Sequence, residues 1–175
     1  KVVGKTDKYH VKQFEQSTNL KCTLLLDASG SMGYQSLTDE HTPKMQYALD
    51  LVATLSYLLL KQFDAVGLTL FNDKVIEHIP PRSKASHFQH ILHSLARITP
   101  QGTTQIADVL AGMAERLPKR SLLILVSDFL TPNQDLHKSL RLLVSRGLEV
   151  IVFHVLHPDE IHLPFEGDIV FESLE

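Results

Sequence analysis

Two apolar runs that stop abruptly at an aspartate constrain this chain more than any other feature. Leu24-Leu25-Leu26 ends at Asp27, and Ile124-Leu125-Val126-Ser127 ends at Asp128. Short apolar runs bounded by polar and glycine residues read as strands buried on both faces, the signature of a parallel sheet. Further runs of this kind are Ala65 to Phe71 and Leu148 to Val155. A short strand, Val75 to Ile79, follows a turn at Asn72-Asp73 and is expected to end at Pro80-Pro81.

Helix-period segments lie between these runs. Pro43 stands where a first-turn proline belongs, and Met45, Ala48, Leu49, Val52, Ala53 and Leu59 recur at helical spacing after it. Phe88, Ile91, Leu92 and Leu95 mark a second helix, Ile106 to Leu117 a third, and Leu136 to Ser145 a fourth that Gly147 closes. Alternation of this kind predicts an α/β fold: a Rossmann-like, doubly wound, mostly parallel sheet in three layers. The expected organisation is an entry arm over residues 1–20, a domain over 21–157 and a tail over 158–175 with an edge strand at Ile169 to Phe171.

Composition narrows the class. A chain of 175 residues with 43% hydrophobic and 21% charged side chains suits one globular domain. A formal charge of -3, with Lys and Arg dispersed, argues against an electrostatic grip on nucleic acid or anionic membrane. The one cysteine, Cys22, sits inside an apolar run and is expected in the core, in keeping with a reducing compartment. No stretch approaches the roughly 18 apolar residues of a membrane span. Residues 1–20 lack the apolar centre of a signal peptide, and the missing initiator Met suggests a fragment.

Ligands of open parallel sheets bind beyond the carboxyl ends of the strands. Asp27 and Asp128 are expected at that edge, and the loop Gln101-Gly102-Thr103-Thr104 enters a helix from the same side. In Asp27-Ala28-Ser29-Gly30-Ser31, alternate residues can turn three oxygens toward one point if the loop curls. Hard divalent cations, magnesium above all, favour oxygen ligands and retained water. Thr103 could add a hydroxyl and Asp128 a second carboxylate. A metal bound mainly through neutral hydroxyls, with the aspartates acting through water, would stay electrophilic enough to accept a carboxylate from another protein.

The set Asp27-x-Ser29-x-Ser31, Gly102-Thr103 and strand-terminal Asp128 resembles the metal-ion-dependent adhesion site of von Willebrand factor A domains, over roughly residues 20 to 157. The Gly-Thr match assigns the hydroxyl to Thr103, with adjacent Thr104 as the alternative one residue along. Phe129 stands where many adhesion-type domains have Gly. A narrower resemblance is to the bacterial proteins catalogued as domain of unknown function 58. It is carried by Tyr9 to Glu15, Asn19-Leu20, Asp27 to Met32, Lys44 and Asp64 to Leu68, and in the tail by Leu163 to Gly167, Phe171 and Glu175. That resemblance implies further chain before and after this region. It also implies a MoxR-type AAA+ ATPase as partner in a chaperone-like assembly, and with it a cytoplasmic location.

Other readings are weaker. Gly30-Ser31-Met32-Gly33 lacks the Gly-x-Ser-x-Gly spacing of a nucleophile elbow. His87, His90 and His93 are expected on the polar side of their helix, as a solvated face and not a zinc site. No phosphate-loop or dinucleotide fingerprint is present, nor any nucleic-acid-binding motif. The expectation is therefore a Mg²⁺- or Mn²⁺-dependent protein-binding module with Asp27, Ser29, Ser31, Thr103 and Asp128 at the metal. It would not be an enzyme, and its partner would supply an acidic side chain. The alternative is a metal-dependent phosphoester hydrolase, with Asp39, Glu40 or His41 as base, but no Lys or Arg is placed by the sequence to hold an anion there.

Overall fold

The computed structural model describes residues 20–36, 42–130, 135–164, 170 and 174. The chain runs β1 (Lys21–Asp27), a 3-10 turn (Gly30–Gly33), α1 (Lys44–Lys61), β2 (Ala65–Phe71), β3 (Val75–Arg82) and α2 (His87–Leu95). It continues with α3 (Ile106–Arg116), β4 (Leu122–Ser127), α4 (Leu136–Ser145), β5 (Glu149–His154) and α5 (Pro158–His162). The five strands form one sheet in the order β3-β2-β1-β4-β5, parallel except for β3, which pairs antiparallel with β2. This is the mostly parallel α/β sheet expected from the alternation of strands and helices. The entry arm over 1–19, the loop 37–41 and the strand expected at Ile169 to Phe171 lie outside the described residues, apart from Val170.

β1 is central, with β2 on one side and β4 on the other. Leu24, Leu25 and Leu26 are all fully buried, because successive strand residues face opposite layers. Leu24 and Leu26 join a core with Val52, Leu68 and Ile124 under α1 and α2. Leu25 joins a second core with Leu110, Leu123 and Leu143 under α3 and α4. Cys22 is buried as expected, and burial pushes its thiol up to about 12, with Asp64 adding to the shift. Among the described residues no helix is long and apolar enough to cross a membrane.

Two expectations are corrected. β3 does not end at Pro80-Pro81 but runs through both prolines to Arg82. It lies at the edge of the sheet, where a residue without an N–H costs no ladder bond on its open side. The register slips between Val66 and Leu68, and Gly67 leaves room there: a Cβ on it would lie 2.7 Å from the Ile79 carbonyl oxygen and 2.9 Å from Pro81 Cδ.

The second correction concerns His87, which is not on a solvated face. It is buried, one helical turn before Ile91, and its Nε2 lies 2.9 Å from the Val66 carbonyl oxygen. His90 and His93 are exposed as expected. Burial holds the His87 imidazole below its ordinary value of 6.5, with the hydrogen bond to Val66 working against that. A depressed native value means the unfolded chain binds the proton first. The stability contributed by neutral His87 is therefore whole above 6.5 and is lost as the pH falls toward the lower native value. His87→Gln keeps an N–H for Val66 but cannot titrate. Urea unfolding at neutral and mildly acidic pH is expected to show a smaller acid-side loss of stability in this variant than in the parent.

Candidate functional site

The chain reverses its order in the sheet between β1 and β4, and the loops beyond their carboxyl ends meet there. Backbone hydrogen bonds join these loops. Gly30 N donates to Gly102 O at 2.8 Å, Gln101 N to Ala28 O at 2.9 Å, and Ala28 N to Phe71 O at 2.7 Å. Asn72 adds its side-chain amide to Gln101 O at 3.2 Å and accepts from Gln105 N at its own carbonyl. Gly102 has φ +74°, in the left-handed region that favours glycine, and its carbonyl accepts from Gly30 N.

Asp27 is fully buried at the centre of this junction. Its Oδ1 accepts from Ser29 N at 2.9 Å, and its Oδ2 accepts from Ser127 Oγ at 2.6 Å and, more loosely, from Thr104 Oγ1 at 3.4 Å. Burial holds the Asp27 carboxyl above the ordinary carboxylate value, opposed by the Ser127 and Ser29 hydrogen bonds and reinforced by nearby Asp128. Ser29 and Ser31 are buried, with their hydroxyl oxygens 3.2 Å apart.

Asp128 is also buried. Its Oδ2 accepts from Lys44 Nζ at 2.6 Å, and its Oδ1 from Leu130 N at 3.3 Å. Lys44 is itself 1% exposed and gives a second ion pair to Glu160 Oε1 at 2.8 Å. The other oxygen of Glu160 accepts from His157 N at 2.7 Å, closing a capping box at the start of α5. Tyr34 reaches the same end of the molecule, donating its hydroxyl to Asp159 Oδ2 at 3.0 Å. An open cleft of about 270 Å³ adjoins Lys44 between Tyr47 and Val155.

Four of the five residues read from sequence are thus brought close together: Asp27, Ser29, Ser31 and, through β4, Asp128. The fifth is displaced by one position. Thr103 is exposed, and the hydroxyl that reaches Asp27 belongs to buried Thr104. The tight turn at Gly102 points the first threonine outward and the second inward. Thr104→Val is therefore expected to cost about 1 kcal/mol, the worth of one buried hydrogen bond, and Thr103→Val less than about 0.5 kcal/mol. Chemical denaturation of the two variants checks this.

Two participants were missed in the sequence. Ser127 looked like the last residue of a strand, but its hydroxyl joins β4 to Asp27 and also accepts from Phe129 N at 3.0 Å. The sequence offered no cation near the aspartates, whereas the structure puts Lys44 between Asp128 and Glu160, 84 and 116 positions away along the chain. The sequence signals for Lys44 were its place among the residues that carry the narrower family resemblance and its position at the start of an apolar helix; neither pointed to its role as the partner of two carboxylates.

The donor set suits a small hard cation. In octahedral magnesium with bonds of about 2.1 Å, neighbouring ligand oxygens lie about 3.0 Å apart, close to the Ser29–Ser31 spacing of 3.2 Å. Among the described residues no group of three or more His, Cys, Asp and Glu side chains is placed to hold a metal, so a cation here would depend on hydroxyls. Asp128 and Glu160 share a single ammonium, Lys44, so the three groups when ionised carry one net negative charge.

The profile of the family described as protein of unknown function DUF58 matches residues 1–175. The chain belongs to this family. Uncharacterized proteins of Mycobacterium bovis and Mycobacterium tuberculosis are 26% identical to it over 99% of its length. The DUF58 chain spans about half, 54%, of the length of these relatives.

Solved structures extend the likeness at the level of fold. An aerotolerance-related membrane protein from Bacteroides fragilis superposes with TM-score 0.65 at 21% identity, covering 88% of this chain and 76% of its own. BatB from Bacteroides thetaiotaomicron gives TM-score 0.61 at 18% identity, covering 76% and 65%. Proximal thread matrix protein 1 of the mussel byssus gives 0.57 at 19%, covering 77% of this chain and 37% of its own.

Proposed function

We propose that this DUF58 chain is a von Willebrand factor A-like module that binds a partner protein through a divalent cation, and that it is not an enzyme. The observation that carries the reading is the buried Ser29–Ser31 hydroxyl pair, 3.2 Å apart beside the buried carboxylate of Asp27. Ser29, Ser31 and Thr104 would offer hydroxyls to Mg²⁺ or Mn²⁺, with Asp27 and Asp128 holding bound water. Thr104 replaces Thr103 in this role because its side chain is the one turned inward. The bound cation would supply an electrophilic position for an acidic side chain of the partner.

Asp27 orients the serine loop through Ser29 N, and Ser127 holds Asp27 in turn. Lys44 fixes the Asp128 carboxylate and is already paired with two anions in a buried setting. It is therefore unsuited to gripping a phosphoryl group, which favours binding over hydrolysis. The partner proposed from the family resemblance is a MoxR-type AAA+ ATPase in a chaperone-like assembly, which would place the module in the cytoplasm.

The test is calorimetric titration of Mg²⁺ and Mn²⁺ into chelator-treated chain. One saturable site is the expected result. Absence of binding by either cation overturns the reading. Phosphoester turnover with Mn²⁺ that disappears in Asp128→Ala would replace it with the hydrolase alternative.

A further inference from the structure

Lysines and arginines that are dispersed along the sequence are gathered by the fold at one edge of the sheet. β1 begins at Lys21, in register with Ala65, and β3 ends at Arg82, in register with Val66. Cys22 pairs with Leu122 and Leu122 with Glu149, so the amino ends of all the parallel strands lie along this edge. Each of α1, α3 and α4 finishes here before a parallel strand begins, the first two at Lys61 and Arg116, the third with Arg146 as its C-cap. The helix dipole favours cations at such ends. Lys84, Lys119 and Arg120 stand in the links beside them. All of these side chains are exposed. Among the described residues the acids at this edge are Glu115 and Glu149, both exposed, and Asp64, which is buried.

The links 62–64, 83–86, 117–121 and 146–148 are short, which makes the edge a level face. Phe63 stands out from it, 76% exposed, with φ 63°. It follows the C-cap Gln62, a place where left-handed backbone usually selects glycine. Neither burial nor backbone preference accounts for an aromatic residue there. Leu58 and Val144, in the last turns of α1 and α4, are exposed as well.

We infer that this amino edge is a docking surface for an anionic lipid bilayer, with the cations on the headgroups and Phe63 inserted among them. Nucleic acid would neutralise the same cations but leave Leu58 and Val144 in water. A bilayer interface takes charge and apolar side chains together. The inference goes beyond the metal reading and does not depend on it, because the serine loop lies at the opposite, carboxyl edge of the sheet.

Co-sedimentation of the full 175-residue chain with vesicles of phosphatidylcholine and phosphatidylserine in equal amounts tests this. Binding is expected to be absent from pure phosphatidylcholine and to weaken as salt rises. Lys84→Gln with Lys119→Gln should weaken binding about 25-fold, about fivefold for each cation removed. Lys74→Gln with Lys138→Gln removes as much charge from the other end of the fold and should change binding less than about twofold. Phe63→Gly suits the left-handed backbone, so the fold should be at least as stable in urea while vesicle binding falls about tenfold.

Equal binding to the two kinds of vesicle overturns the inference, and so do equal losses in the two lysine pairs. Retention by duplex DNA as strong as by the anionic vesicles, with Phe63→Gly altering neither, also overturns it and makes the edge a nucleic-acid surface.

Discussion

Lys44→Met is expected to lower the unfolding free energy by about 3–5 kcal/mol, the usual cost of stranding buried charge. The lysine is 1% exposed, and the Asp128 side chain it contacts is fully buried. Methionine fills much the same volume, so packing is largely preserved and the loss is electrostatic. Asp128 would keep only the long hydrogen bond from Leu130 N, and Glu160 only its bond from His157 N. The pair Lys138–Asp135 provides the contrast: both side chains lie in solvent, 80% and 67% exposed. Removing Lys138 should therefore leave the denaturation midpoint unchanged within error. Equal midpoints for the Lys44 and Lys138 variants would show that the Lys44 pairing contributes nothing to stability.

Asp27→Asn should separate metal binding from folding. The substitution removes the negative charge that burial already disfavours at this position, while keeping the shape and the acceptor for Ser29 N. Ser127 can adapt, because a hydroxyl has a second lone pair with which to accept from the new amide, besides the bond it takes from Phe129 N. The metal-free variant is thus expected to be at least as stable as the parent. A cation present at 100 times its dissociation constant stabilises a folded protein by about 2.7 kcal/mol, and that increment should appear in the parent and vanish in Asp27→Asn. Thermal melts with and without Mg²⁺ give the comparison. An undiminished Mg²⁺ increment in the variant would exclude Asp27 from the cation's surroundings.

The layered architecture was legible because buried parallel strands write themselves as unbroken apolar runs. Leu24-Leu25-Leu26, a short apolar run stopped at an aspartate, reads as a strand covered on both sides, and the structure buries all three residues completely. The aspartates were legible for the same reason, as polar residues where such runs end. Single positions were harder. Thr103 and Thr104 are chemically identical, and only the left-handed turn at Gly102 decides which faces inward. His87 was misjudged because its residue type outweighed its position one turn before Ile91. Pro80 and Pro81 looked like breakers because the sequence does not say that β3 lies at an edge. Lys44 was hidden because its partners come from β4 and α5, and no local pattern announces an ion pair made across the fold.

Glu160 joins two features of the fold. One of its oxygens fixes the first turn of α5, and the other holds the ammonium that fixes Asp128. Leu163 ends α5 in a left-handed conformation, φ 45°, with its N–H bonded to the Asp159 carbonyl. The first turn of α5 and the Asp128 carboxylate are thus referred to one ammonium, that of Lys44. A shift of α5 would therefore be felt at the carboxylate beside the serine loop, and a shift of that carboxylate at α5.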